Sequence, residues 1–176
     1  MFNKTLAHVE NFIDWTGRTV SWLSLLLVLV TFIVVVLRYV FDSGSIALQE
    51  VTTYLHATIF LGGMAYTLQQ DAHVRVDIFY AQCSKQTKAW INLFGALFLL
   101  LPFMFFISWV SWLYIADSWS VFEGSREAGG LPGVFLLKSL ILVMTSLLSL
   151  QAFTQIARNI ETILDADIIN DDEGDD

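Results

Sequence analysis

Few residues in this chain have the types and spacing that catalysis or metal binding requires. The single cysteine, Cys83, forms neither an intrachain disulfide nor a multi-cysteine metal site. No nucleophile lies beside a recognisable base, and neither a phosphate-binding loop nor a zinc motif occurs. Only one histidine, His56, lies inside a long apolar segment, whereas a six-coordinate haem usually needs two axial ligands. We therefore predict no enzymatic activity and no cofactor.

Three ionisable residues remain as candidates for contacts within or between subunits: Arg38, Glu50 and Lys138. Glu50 is predicted in the first turn of a helix, where the backbone dipole favours a carboxylate, but it could instead pair with Arg38 or with a base on a partner. Lys138 is predicted about two turns into a helix. Its long stem could carry the ammonium group to the membrane surface, or it could contact a partner helix or a lipid headgroup.

Small residues form a second candidate surface. Gly62 and Gly63 lie near Thr58 and Ala65 on one predicted helix, and small side chains let two helices approach closely. Packing within the chain and packing against another subunit are both compatible with this pattern.

The elements that carry these residues are predicted to cross a membrane. The chain is 56% hydrophobic and 15% charged, whereas a soluble domain has roughly 25% charged residues. Four charge-free runs each approach or exceed the ~20 residues that span a bilayer core of ~30 Å as a helix. We predict an all-α integral membrane protein whose membrane domain, 19–158, contains four transmembrane helices at about 19–39, 47–68, 89–116 and 131–157. Pro102 is the expected kink in the third helix.

The flanking segments are predicted to lie at or beyond the membrane surface. The basic residues Lys4, Arg18, Arg75, Lys85, Lys88 and Arg158 outnumber those on the other side, which predicts that both termini are cytoplasmic. Segments 1–18 and 73–88 have amphipathic helical spacing and are predicted to be interfacial. The acidic tail, 159–176, is predicted to be cytoplasmic and disordered from Asp165 onward. No basic patch indicates nucleic-acid binding.

The distribution of charge argues against an autonomous pump. Every acid and base except Lys138 lies at or near a predicted helix end, and no carboxylate occupies the middle of a span. No internal repeat of the kind found in complete transporters is evident. These features predict a non-catalytic subunit of a larger membrane complex.

Three stretches of the chain form a combined pattern. The first is Arg38-Tyr39 at the end of the first helix. The second runs from Leu48-Gln49-Glu50 through Phe60-Leu61-Gly62-Gly63 to His73-Val74-Arg75-Val76-Asp77. The third is Glu123-Gly124-Ser125 with Gly130-Leu131-Pro132 and Lys138. Together these stretches resemble the small membrane subunit, the Q subunit, of tripartite ATP-independent periplasmic (TRAP) transporters. The likeness covers roughly residues 15–158, and its third stretch is similar to the branch often labelled mannitol/chloroaromatic.

The resemblance implies a role and a set of partners. A large membrane (M) subunit would carry the substrate and sodium sites, and a periplasmic substrate-binding (P) subunit would deliver an organic acid anion. The small subunit would extend the fixed scaffold in the bacterial inner membrane, in contact with lipid. Its candidate scaffold or interface residues are Arg38, Glu50, Gly62, Gly63, His73, Asp77 and Lys138. The candidates for docking the binding protein are Glu123, Arg126 and Glu127 in the outer loop.

Two other function classes remain in view. An autonomous four-helix, ion-coupled transporter acting as a homo-oligomer would need an acid inside a span. A membrane redox enzyme or cytochrome would need paired histidines or cysteines in the spans. Flux through the purified chain alone would support the first class, and a haem absorption spectrum would support the second.

Overall fold

The computed structural model describes the backbone of residues 2–72 and 80–172 and the side chains of residues 4–72 and 80–165. Within these ranges the chain contains helices, turns and loops but no strand. We number the four long helices α1 (Phe2–Tyr39), α2 (Ile46–Gln69), α3 (Lys85–Ser120) and α4 (Val134–Asp172). The predicted all-α class is therefore confirmed.

The N-terminal segment is not a separate interfacial helix as predicted, because α1 runs without a break from Phe2 to Tyr39. Its apolar residues Leu6 and Ile13 are buried inside the protein rather than facing a membrane surface. Amphipathic spacing reports only that one face is apolar, and here other helices of the same chain cover that face.

The second predicted interfacial segment, 73–88, lies partly outside the described residues, since 73–79 are not among them. Its C-terminal part belongs to α3, which begins at Lys85. The hydroxyl of Ser84 caps this helix by accepting a hydrogen bond from the backbone N–H of Thr87 at 3.2 Å.

A π-helical stretch, Gly95–Leu100, interrupts α3 just before the predicted kink residue Pro102. The backbone N–H of Leu101 donates to the carbonyl of Ala96, five residues earlier. Proline has no N–H to donate and its ring crowds the carbonyl four residues before it, so an altered hydrogen-bond pattern near this position is expected.

Helix α4 begins at Val134, so Leu131 and Pro132 lie in the preceding loop, and it continues to Asp172. The prediction of a disordered tail from Asp165 is therefore wrong as far as Asp172. The acidic composition of this segment did not prevent the helix from continuing beyond the apolar run.

Helices α1, α2 and α4 contact one another, with α1 packed mainly against α2, and α3 packs against α4. A core of buried apolar side chains joins all four: Ile13, Ala65, Met104, Met144, Leu147 and Leu148. The two outer helices, α1 and α3, expose many large apolar residues.

Three helices are long and apolar enough to cross a membrane, over Lys4–Tyr39, Lys85–Ser120 and Val134–Asp165. The most apolar part of α1 has no buried residue, which suits a lipid environment. Helix α2 is also long, at 24 residues, but it is not one of these three, and it includes Glu50 and His56.

Candidate functional site

Glu50 holds the loop between α3 and α4 against the start of α2. Ser45 caps α2 by accepting a hydrogen bond from the backbone N–H of Leu48 at 3.4 Å, which places Glu50 near the beginning of this helix. The Glu50 carboxylate accepts one hydrogen bond from the Ser125 hydroxyl and a second from the backbone N–H of Leu131 at 2.6 Å. A carboxylate on α2 therefore joins two separate points of one loop.

A second carboxylate, Glu123, ties the same loop to α4. Glu123 forms an ion pair with Lys138 and accepts a hydrogen bond from the Ser118 hydroxyl at 2.7 Å. The Lys138 side chain is only 13% exposed, and its ammonium group lies 3.9 Å from the centre of the Tyr114 ring. The hydrogen bond from Lys138, followed by that from Ser118, lowers the pKa of Glu123 below its usual range.

Two glycines, Gly129 and Gly130, allow this loop to adopt its conformation beside Glu50 and Ser125. Gly129 has a φ of 81°, in the left-handed region that favours glycine. A Cβ atom on Gly130 would collide with Ser125 and would lie 2.8 Å from Oε1 of Glu50. We call the residues Glu50, Glu123, Ser125, Leu131 and Lys138 the loop cluster.

A second group of polar contacts lies at the opposite ends of the helices. Arg158 on α4 donates two hydrogen bonds to Glu10 on α1, both at 3.0 Å, and a longer one of 3.3 Å to Glu161. The Gln69 side-chain amide, at the end of α2, donates to the backbone carbonyl of Glu10 at 2.9 Å. We call the residues Glu10, Gln69, Arg158 and Glu161 the terminal cluster.

The distance between the two clusters matches the thickness of a bilayer. Glu50 and Gln69 are 19 residues apart along α2, which corresponds to roughly 29 Å at 1.5 Å per residue. Lys138 and Arg158 are 20 residues apart along α4, or roughly 30 Å. The hydrocarbon core of a bilayer is also ~30 Å thick.

The contacts in both clusters hold helices and a loop together. Each carboxylate described above accepts hydrogen bonds from donors in the same chain, so neither cluster presents an open nucleophile or base. Among the residues described, no group of three or more His, Cys, Asp or Glu side chains is placed to hold a metal ion.

Comparison with known protein families identifies the family of this chain. The family described as "Tripartite ATP-independent periplasmic transporters, DctQ component" matches residues 27–162. The chain belongs to this family. The match includes the whole loop cluster and ends just beyond Arg158. Neither the search of curated proteins nor that of solved structures gives a match.

Membership in the DctQ family makes this chain a membrane-spanning component of a tripartite TRAP transport system. It confirms the resemblance drawn from the sequence, and the third stretch of that resemblance now has a physical explanation. Glu123, Ser125, Leu131 and Lys138 come together in three dimensions because they form one hydrogen-bonded loop with Glu50.

The structure places the other candidate residues of this DctQ-family chain in different surroundings. Arg38 is exposed at the end of α1, so the Arg38–Glu50 pair considered from the sequence is not formed. Gly62 packs within the chain, because a Cβ atom there would lie 3.4 Å from Val20, whereas Gly63 has open space beside it. Lys138 pairs with Glu123 in the loop between α3 and α4. His73 and Asp77 lie outside the described residues.

The three docking candidates differ from one another. Arg126 and Glu127 are exposed at the tip of the loop, whereas Glu123 is half-buried and paired with Lys138. The sequence did not predict the terminal cluster. Glu10 and Arg158 are separated by 148 positions, and no motif in the sequence links them. Only the side-by-side packing of the helices brings these two residues together.

Proposed function

We propose that this chain is the small, non-catalytic scaffold subunit of a sodium-coupled secondary transporter that imports organic acid anions. The substrate would arrive on a periplasmic binding protein, and a large membrane subunit would hold the substrate and ion sites. The observation that carries the proposal is the separation of the two polar clusters. The ionisable groups of these two clusters are paired within the chain and lie roughly one bilayer thickness apart. This arrangement suits a structural scaffold better than a conduction path.

In this proposal all four helices cross the membrane, with α2 as the fourth span. Helix α2 has 24 residues, or roughly 36 Å. It connects the loop cluster to the terminal cluster and packs against both α1 and α4, which supports a spanning position. Its polar residues would then be partly shielded from lipid by these neighbours.

The protein would reside in the bacterial inner membrane with both termini in the cytoplasm. The excess of basic residues on the terminal-cluster side supports this orientation. The loop cluster would therefore face the periplasm, where a binding protein can reach it.

Docking of the binding protein would involve Arg126 and Glu127, because these side chains are exposed at the tip of the loop. Glu123 would act indirectly, by keeping the loop attached to α4. Arg38 and Gly63 remain candidates for contact with the large subunit since both face outward or have space beside them, and His73 and Asp77 remain candidates from the resemblance alone.

Reconstitution in proteoliposomes tests the proposal. We expect substrate uptake only when the large subunit, this chain and the binding protein are all present, and only with an inward sodium gradient. Purified copies of this chain alone should give no flux. Flux from the chain alone would instead establish an autonomous homo-oligomeric transporter, and full uptake without this chain would refute the scaffold role.

A further inference from the structure

A polar pocket of about 250 Å³ lies beside the terminal cluster, and we call it the terminal pocket. All four helices contribute to it: α1 provides Glu10, α2 provides Gln69, α3 provides Asn92, and α4 provides Arg158 with four further polar residues. Among the described residues that line the pocket, Leu68 is the only apolar one and none is aromatic. The terminal pocket therefore suits a polar ligand.

One polar atom of the terminal pocket is buried without a hydrogen-bond partner. The side-chain nitrogen of Gln69 donates to the backbone carbonyl of Glu10 at 2.9 Å. A carbonyl oxygen can only accept, so this contact fixes the orientation of the Gln69 amide and leaves its Oε1 as the free end. Within the described part of the chain, this Oε1 is buried and accepts no hydrogen bond. Because a buried, unsatisfied acceptor is costly, a ligand that brings a hydrogen-bond donor would be stabilised here.

A second polar side chain, Gln151, lies deeper in the same pocket and is only 6% exposed. Its Oε1 lies 3.2 Å from the Thr154 hydroxyl. The side-chain nitrogen is left without a hydrogen-bond partner among the described residues. Gln151 precedes Arg158 by seven residues on α4, which is roughly 10 Å along the helix. A matching ligand would therefore have a donor near Gln69 and an acceptor at greater depth.

The charges around the terminal pocket favour a cation as the donor. Two carboxylates, Glu10 and Asp71, line the pocket against one base, Arg158. The guanidinium of that base is already paired with Glu10 and Glu161. An ammonium group donates hydrogen bonds and carries the charge that this surplus of carboxylates attracts.

The chemistry of the lining selects a primary ammonium group over a quaternary one. A quaternary ammonium group has no N–H to donate to Oε1 of Gln69. Proteins recognise such groups with aromatic rings, and the described lining of the terminal pocket contains none. A primary ammonium group has three donors and can reach Gln69 and Glu10 together.

The terminal pocket lies at the level of lipid headgroups. Arg158 is 20 residues from Lys138 along α4, roughly the thickness of the hydrocarbon core. Trp15 on α1 and Trp90 on α3 are 63% and 43% exposed near this end of the chain, and tryptophan is enriched at the membrane–water interface. Aminophospholipids present a primary ammonium group at this level, and their ester carbonyls lie deeper, where Gln151 can donate to them.

We propose that the terminal pocket binds a phospholipid whose headgroup carries a primary ammonium group, of which phosphatidylethanolamine is the simplest. The ammonium group donates to Oε1 of Gln69 and is attracted by Glu10, and an ester carbonyl accepts from Gln151. This site requires only that the chain lies in a membrane, so it does not depend on the transported substrate.

Competition between two lipids of equal charge tests the preference for a primary ammonium group. The full chain is purified in mixed micelles with equal amounts of dioleoylphosphatidylethanolamine and dioleoylphosphatidylcholine, which differ only in methylation of the nitrogen. Native mass spectrometry counts the lipids that stay bound. We expect about tenfold more phosphatidylethanolamine, or ~1.4 kcal/mol. Equal retention of the two lipids by the unaltered chain would overturn the proposal without any variant.

Two substitutions separate the contacts of the headgroup from those at greater depth. Gln69→Leu should abolish the preference because it removes the acceptor, whereas Gln70→Leu, exposed and outside the pocket, should keep it. Gln151→Leu should lower the retention of both lipids and preserve their ratio. The ratio is measured within each protein, so a change in the stability of a variant does not affect it. A preference that survives Gln69→Leu would overturn the assignment.

A soluble competitor distinguishes a lipid from a free amine. Phosphoethanolamine carries the same ammonium and phosphate groups but has neither the ester carbonyls nor the acyl chains. An excess of it should leave the bound phosphatidylethanolamine in place. Displacement by phosphoethanolamine at a concentration equal to that of the lipid would show that the pocket serves a soluble amine, and would refute the lipid assignment.

Discussion

At the scale of single residues, Glu50 on α2 and Glu123 within the loop together fix the conformation of the loop between α3 and α4. Glu50 reaches it from α2, and Glu123 joins it to α4 through Lys138. A buried or half-buried ionised group is costly unless it is paired, so removal of one partner should cost more than removal of both.

We expect this asymmetry in the Glu123–Lys138 pair. Lys138→Met should lower the unfolding temperature because it removes the ion pair of Glu123 and leaves it the Ser118 hydroxyl and the more distant charge of Arg126. Adding Glu123→Gln to that variant should cost less than Glu123→Gln does in the unaltered chain. Thermal unfolding in detergent, analysed as a double-mutant cycle, measures the coupling. Strictly additive effects would show that the two residues do not interact.

The lowered pKa of Glu123 predicts a pH dependence with a definite sign. A carboxyl whose pKa is lower in the folded chain stabilises the fold fully above its unfolded-state pKa. It loses that contribution as the pH falls through the lower, folded-state value. The unfolding temperature should therefore fall more steeply with acidification in the unaltered chain than in Glu123→Gln. Parallel curves for the two proteins would contradict this prediction.

Gly130 should tolerate no side chain. Because a Cβ atom would meet Ser125 and Glu50, Gly130→Ala should destabilise the chain by about 2 kcal/mol, as overpacking commonly does. Gly63→Ala is the matched control. It has open space beside it and lies within a helix, so it should be neutral or slightly stabilising. Equal denaturant midpoints for Gly130→Ala and the unaltered chain would show that the loop adjusts freely.

At the scale of helices, sequence patterns located the elements better than their ends. Charge-free runs predicted α1, α3 and α4 as apolar helices because lipid exposure demands such runs. The same patterns could not show that α1 extends to Phe2, since an apolar stripe at Leu6 and Ile13 fits lipid and protein equally well. Similarly, the charge and position of Glu50 indicated that it anchors another segment or subunit. Its partners could not be predicted, because they depend on the path of a loop far along the chain.

The terminal cluster should keep the beginning of α1 in place. Glu10→Gln weakens the two hydrogen bonds with Arg158, and partly exposed ion pairs of this kind contribute up to about 1 kcal/mol. We expect faster amide exchange in the first turns of α1, with little change in global stability. Gln70→Glu, an exposed neighbour of the cluster, serves as the control. Unchanged exchange near Glu10 would show that apolar packing alone holds this segment.

At the scale of the whole molecule, α2 and α4 pack against each other, while α1 and α3 expose many large apolar side chains. Function in a tripartite transporter should therefore depend on surfaces: the loop tip and the exposed sides of α1 and α3.

The loop tip should affect transport without affecting stability. The double variant Arg126→Glu/Glu127→Lys exchanges the two exposed charges while keeping the net charge, and Glu123 remains paired with Lys138. We expect a several-fold rise in the concentration of binding protein needed for half-maximal uptake, because charge complementarity guides association. The maximal uptake rate and the unfolding temperature should not change. An unaltered concentration dependence would remove these two residues from docking.

The π-helical stretch in α3 determines the direction around the helix axis in which the later side chains of α3 point. A π turn accommodates one residue more than an ordinary α turn, and each residue of an α-helix advances the azimuth by about 100°. Winding the same residues as a uniform α-helix would rotate its distal half by about that angle relative to the proximal half. Ser108 would swing away from Thr145, and Tyr114 from Lys138. The irregular stretch thus sets the rotational alignment that lets both ends of α3 meet α4.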